Sequence, residues 1–154
     1  MNILCMRWFF ILTMVMLPTV MLCAAESHRF IKKIALPSGQ TAVIAEGDFE
    51  ARSIGSFSIR LYDAAASADM TTFFSTGLIR SRDGTIEKIE LADVDDNQGP
   101  EIIVIVRSTG TGGYLSAHAF AFDERNIVFR AVVEDLPPKS NPIVELRKKI
   151  RPLK

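Results

Sequence analysis

Five β-branched residues in a row, Ile102-Ile103-Val104-Ile105-Val106, constrain this chain more than any other stretch. Branching at Cβ restricts the side chain in a helix and suits a pleated strand. The run is too short for a buried helix, and its lack of alternation requires cover on both faces. It therefore predicts a central strand with a layer on each side. Its neighbours are strands of another kind. Ser53 to Tyr62 sets Phe57, Ile59 and Leu61 on one face and Ser56, Ser58, Arg60 and Tyr62 on the other, which predicts a strand with one wet face. Tyr114 to Phe122 sets Tyr114, Ser116, His118, Phe120 and Phe122 against Leu115, Ala117, Ala119 and Ala121. The alanine side lets another layer approach closely.

Further β segments read as Arg29 to Leu36, closed by the turn Pro37-Ser38-Gly39, and as Thr41 to Ala45. An apolar piece runs from Phe73-Phe74 to Leu78-Ile79. Arg82-Asp83-Gly84 reads as a hairpin turn, because Asp-Gly supplies positive φ, with Thr85 to Leu91 as the returning strand. Between Asp63 and Met70, Ala64, Ala65, Ala66 and Ala68 read as a loop or a single helical turn. Asp123-Glu124-Arg125-Asn126 is a turn into a strand carrying Ile127, Phe129, Ala131 and Val133. After Leu136-Pro137-Pro138, Asn141 is placed to cap a short helix with Pro142 at its first position. About eight short strands joined by tight turns predict an all-β domain, an antiparallel sandwich or barrel.

The first 25 residues are of a different nature. Arg7 is their only charged side chain, Trp8 to Leu22 is apolar apart from Thr13, Pro18 and Thr19, and Cys23, Ala24 and Ala25 are small. Glu26 is the first acidic residue. This is the layout of a cleavable signal peptide. The expectation is cleavage after Ala25 and a single domain over 26–154 with a short basic tail, Arg147, Lys148, Lys149, Arg151 and Lys154, which reads as a solvated end. The apolar run is short for a membrane span and Pro18 interrupts it, so no membrane association is expected after cleavage. Cys5 and Cys23 would leave with the leader, so the domain has no disulfide, thiolate metal site or cysteine nucleophile. Its stability must come from a packed core, for which about 129 residues suffice. With Arg7 removed, 17 basic side chains face 18 acidic ones, and nothing suggests nucleic acid.

Three places offer polar chemistry. In Asp93-Val94-Asp95-Asp96-Asn97-Gln98-Gly99-Pro100-Glu101, oxygens at Asp93, Asp95 and Asn97, with Glu101 further on, could converge on calcium. A calcium loop wants glycine directly after the third ligand, yet Gln98 stands there and Gly99 follows, so a polar turn is the better reading and no metal is expected. Ser108-Thr109-Gly110-Thr111-Gly112-Gly113-Tyr114 joins two strands, and its glycines leave backbone N–H groups uncovered. It lacks the lysine and following helix of a phosphate loop. His28 and His118 have no ligand spacing, and His118, mid-strand beside aromatics, reads as a satisfied structural histidine. No serine has a nucleophile-elbow setting, so an enzyme is not expected.

Taken together, Val104-Ile105-Val106-Arg107-Ser108 leading into Thr111-Gly112-Gly113-Tyr114 resembles the periplasmic inhibitors of invertebrate-type lysozyme, whose members carry Ser-Gly-x-Tyr on a loop between strands. Ala45-Glu46-Gly47-Asp48-Phe49-Glu50, Gly55-Ser56-Phe57-Ser58-Ile59-Arg60-Leu61-Tyr62 and the acidic turn add to the likeness, which runs from about Ile31 to Glu134. The resemblance implies a periplasmic, cofactor-free binding protein whose loop, Ser108 to Tyr114, enters the cleft of an invertebrate-type lysozyme. Such a cleft holds paired carboxyl groups, and the loop offers hydroxyl and amide donors without added charge. One departure is Thr111, where the family has serine; the extra methyl widens the tip and stiffens χ1. Two other readings compete: a calcium-stabilised extracellular β-module that binds glycan or protein, and a hydrolase using Asp93, Asp95 or Glu101, which lacks a second recognisable catalytic group. Flat edge strands leave a homodimer open.

Overall fold

The computed structural model describes residues 28–64 and 73–151. The expected leader, residues 65–72 of the alanine-containing segment and Lys154 lie outside the described residues. β1 (Ile31–Ala35), β2 (Thr41–Glu46), β3 (Ile54–Tyr62) and β4 (Phe74–Asp83) form one antiparallel sheet in that order. β5 (Thr85–Ala92), β6 (Glu101–Arg107), β7 (Leu115–Phe122) and β8 (Ile127–Leu136) form the other, again in chain order, and α1 (Pro142–Ile150) follows. The two sheets form a sandwich, which removes the barrel alternative.

Strand β6 lies inside the second sheet, and its two faces meet different layers. Ile102, Val104 and Val106 enter the core between the sheets, with Ile44, Phe57, Ile59, Leu61 and Phe120. Ile103 and Ile105 point the opposite way and pack with Ala117, Ala119, Ala131, Val133 and Leu146. Leu146, fully buried, belongs to α1, so the alanine floor of β7 is where the helix docks. The cap is as the sequence predicts: Asn141 Oδ1 accepts from the amides of Ile143 (3.1 Å) and Val144 (3.4 Å), and Pro142 needs no donor there.

The hairpin expected at Arg82-Asp83-Gly84 is not one. Asp83 pairs with Ile54 in the first sheet and Thr85 pairs with Arg107 in the second, so Gly84 is the crossing between sheets. Gly84 does supply the positive φ (119°). A Cβ there would stand 2.0 Å from the Arg107 carbonyl oxygen, so the corner admits only glycine. Turn chemistry fixes the backbone conformation but not which strand each arm pairs with.

A buried ionic cluster anchors that corner. Arg82 is 3% exposed and donates to the carbonyls of Ser56 (3.0 Å), Arg52 (2.9 Å), Ala51 (3.3 Å) and Gly84. Its Nε lies 4.0 Å from Oε1 of Glu46, itself 5% exposed. That same oxygen accepts the amide of Ile86, 2.7 Å away. One carboxylate on β2 thus holds an amide of β5, beside the register shift between Ile86 and Lys88.

His118 is buried as expected, and aromatic rings pack around it. It meets Phe57 edge-on (5.5 Å) and stacks on Phe120 (6.4 Å). Its Nδ1 has no hydrogen-bond partner among the described residues. Burial, with the Arg80 cation adding, lowers its pKa from 6.5 to about 4.

Two outcomes test this core. Arg82→Met strands the Glu46 carboxylate and should cost about 3–5 kcal/mol in urea unfolding. Adding Glu46→Gln should restore part of it; a loss below about 1 kcal/mol in the single variant would contradict the anchoring role. For His118, the unfolded state takes its proton near pH 6.5 while the folded state resists until about 4. Between those values the unfolded chain binds more protons, so stability falls as pH falls, by up to about 3 kcal/mol. His118→Phe should flatten that part of the profile, and an unchanged slope between pH 7 and 4 would sink the assignment.

Candidate binding site

The register places every loop at one end of the sandwich or the other. Ile54 faces Asp83, Thr85 faces Arg107 and Leu115 faces Leu136. The β2–β3 connection (47–53), Gly84 and the β6–β7 loop (108–114) therefore share one end. The acidic turn and the turn at 123–126 belong to the opposite end.

The β6–β7 loop is built from its base upward. The Ser108 amide donates to the Tyr114 carbonyl (2.9 Å) and closes the neck. The Gly113 amide donates to the Gly110 carbonyl (3.0 Å), which forms a tight turn over Gly110 to Gly113. Gly113 leaves that turn at φ 54°, a value that favours glycine. Arg107 braces the neck, donating from Nη1 to the Gly113 carbonyl (2.8 Å) and from Nη2 to Glu87 Oε1 (2.8 Å). Thr109, Gly110, Thr111 and Gly112 are exposed, and Tyr114 is 49% exposed. A Cβ on Gly112 would come within 2.3 Å of Tyr114 Cε2, so this glycine lets the tyrosine ring lie against the tip. A cleft of about 560 Å³ adjoins the loop, with Tyr114, Ile54, Arg80, Ser116, His118 and Glu134 among its walls. Tyr114 and hydroxyl donors stand at its edge.

At the other end, carboxylate oxygens of Asp93, Asp95 and Glu101 lie within 4.8 Å of one another. The turn is a chain of side-chain-to-backbone bonds. Asp93 Oδ1 accepts from the Asp96 amide (2.7 Å), Asp95 Oδ1 from Asn97 (3.1 Å) and Asn97 Oδ1 from Gly99 (2.8 Å). Positive φ falls on Gln98 (68°), the position at which a calcium loop would want glycine. Glu101 accepts the Val94 amide (2.9 Å); burial pushes its carboxyl pKa up, and Asp95 and Asp93 add to the rise.

Arginines supply the positive charge here. Arg151 pairs with Asp93 (3.5 Å) and Asp96, Arg130 approaches Asp95 (3.7 Å), and Arg147 donates to the Asp93 carbonyl (3.0 and 3.1 Å). The basic tail, expected to be a solvated end, is partly a clamp on this turn. Opposite charge in 93–101 and 147–151 was the available signal, but nothing in the spacing says the two segments meet.

The fold is a small two-sheet β-sandwich that carries a braced, uncharged protrusion at one end. The chain belongs to the PliI family, the periplasmic lysozyme inhibitors of I-type lysozyme, which matches residues 28–150. That family consists of inhibitors, not enzymes. The solved structure of the periplasmic I-type lysozyme inhibitor from Aeromonas hydrophila is 38% identical, covering 76% of this chain and 98% of its own, with a TM-score of 0.70. Aeromonas hydrophila PliI in complex with Meretrix lusoria lysozyme is also 38% identical, covering 77% of this chain and 95% of its own, with a TM-score of 0.71. No curated protein sequence matches the chain.

Because arginines already neutralise the acidic turn, calcium should be dispensable. Melting with chelator and with millimolar calcium should give one midpoint, since a metal binding only the folded state must raise it. A clear calcium-dependent rise would favour the calcium-stabilised module instead.

Proposed function

We propose that this protein protects an exporting bacterium by inserting the loop Ser108 to Tyr114 into the catalytic cleft of an I-type lysozyme. The observation that carries the reading is the loop itself: a narrow exposed tip on a neck fixed by Arg107, with Thr111 and Tyr114 at its surface. Glycoside hydrolases flank the scissile bond with two carboxyl groups. A plug for such a cleft must be slender and rich in donors. The Thr111 and Tyr114 hydroxyls and the Gly112 amide meet that need, while the Gly113 amide holds the turn. A neck held before binding loses little entropy on association, and tyrosine is a frequent interface anchor. Family membership and the complex of the Aeromonas hydrophila relative with a lysozyme support the target. The leader, removed after Ala25, would deliver the domain to the periplasm.

The test uses the mature protein from the periplasmic fraction, sequenced from its N-terminus. Glu26 is the expected first residue; an uncut chain in the membrane pellet overturns the export reading. Tyr114→Ala should cost on the order of 2 kcal/mol of binding, roughly thirtyfold, without loss of fold, since the ring is half exposed. Thr111→Ala should cost about 1.5–3 kcal/mol if its donor meets a buried carboxylate, whereas Thr111→Ser should be mild. Gly112→Val should be worst, because it both thickens the tip and displaces the Tyr114 ring. Asp95→Ala, at the far end, is the control and should inhibit like wild type. If Tyr114→Ala and Thr111→Ala inhibit normally while Asp95→Ala does not, the inhibitory surface lies elsewhere.

A further inference from the structure

The end of the sandwich that carries the β6–β7 loop also presents a second apolar group. Phe49, at the tip of the β2–β3 connection, is fully exposed, and its φ is 60°. Single exposed hydrophobic residues are ordinary on protein surfaces and need no explanation. Phe49 differs in its backbone. A bulky side chain at positive φ is an outlier, in a conformation that glycine or asparagine adopts with less strain. Here phenylalanine occupies a position suited to a smaller residue, and its ring gains no cover from the fold.

The surrounding loop is held firmly. Glu50 accepts the Ser56 hydroxyl at 2.7 Å and also the Ser56 amide, while the Gly47 amide donates to the Ser56 carbonyl at 3.0 Å. Arg29 donates to the Glu50 carbonyl, and Arg82 to those of Ala51 and Arg52. The connection also touches the base of the β6–β7 loop. The Gly84 amide donates to the Ser53 carbonyl at 2.7 Å, and the same glycine packs against Arg107 and Ser108. Ile54, 69% exposed, lines the cleft together with Ser108 and Tyr114.

We infer that Phe49, with Ile54 beside the cleft, is a second contact for the lysozyme: an apolar anchor that seats on the enzyme's surface next to the groove entered by the β6–β7 loop. This rests on the loop reading, because the orientation of the complex follows from it. The two loops are braced to one corner, so they meet the partner as one rigid surface. The side chain gives area, and the clamped backbone keeps its ordering cost low.

The test measures binding kinetics to Meretrix lusoria lysozyme for wild type, Phe49→Asn, Phe49→Gly and Tyr114→Ala, with melting and sedimentation of each free inhibitor. Asparagine and glycine suit positive φ, so both Phe49 variants should melt at or above the wild-type midpoint. Both should nevertheless bind about tenfold or more weakly, chiefly through faster dissociation. If they bind like wild type while Tyr114→Ala does not, Phe49 is no contact and the loop reading stands. If the Phe49 variants weaken and Tyr114→Ala does not, the Phe49 contact stands and the loop reading falls. Normal binding by all three overturns both. A change in sedimentation at Phe49 with unchanged affinity would assign the ring to contact between copies of this chain and overturn the inference.

Discussion

The buried pair Arg82 and Glu46 is the constraint on which the rest of this structure hangs. Burying a guanidinium and a carboxylate is costly unless nearly every donor and acceptor finds a partner. Here four carbonyls receive the arginine, and a β5 amide completes the carboxylate. Those partners belong to both sheets and to the connection before β3. The pair therefore acts less as a source of net stability than as a fixed point. The apolar faces of the two sheets could shift slightly over each other and still bury area; this cluster could not. Because Gly84 and Ser108 are packed against the same corner, the position of the β6–β7 loop is inherited from it.

Much of the fold was legible in the residues. Unbroken branching at Ile102 to Val106 announced two-sided burial, and the alanine stripe of β7 announced a closely packed layer, which proved to be α1. The Asn141-Pro142 cap was readable because its donors are local. The sheet partners of β4 and β5 were not. Asp83-Gly84 carries the chemistry of a hairpin, and the residue that overrides it, Arg82, acts through carbonyls up to 31 positions away. His118 shows a related limit: its burial followed from alternation, but a partnerless Nδ1 among the described residues did not.

The candidate site divides in the same way. The glycines and hydroxyl residues of 108–114 marked the loop, and the family resemblance gave it a partner. The role of Gly112 as a seat for the Tyr114 ring is not legible in the sequence, because it depends on a distance across two residues of irregular backbone. The bracing by Arg107 and Glu87 is a contact between strands β6 and β5, 20 residues apart, that no motif encodes. At the far end, charge counting judged the basic tail solvated, since local composition carries no information about docking.

All six strand ladders join neighbours in sequence, and each sheet is completed by four consecutive strands. Such a meander closes only short loops, which keeps the entropic cost of each pairing low. The ladders of the first sheet need nothing beyond Asp83, so a chain made N-terminus first can zip them before the rest arrives. Until then the face bearing Ile44, Phe57, Ile59 and Leu61 stands in water. During that interval the half-made sandwich is the state most exposed to aggregation, and docking of the second sheet is the event that ends it.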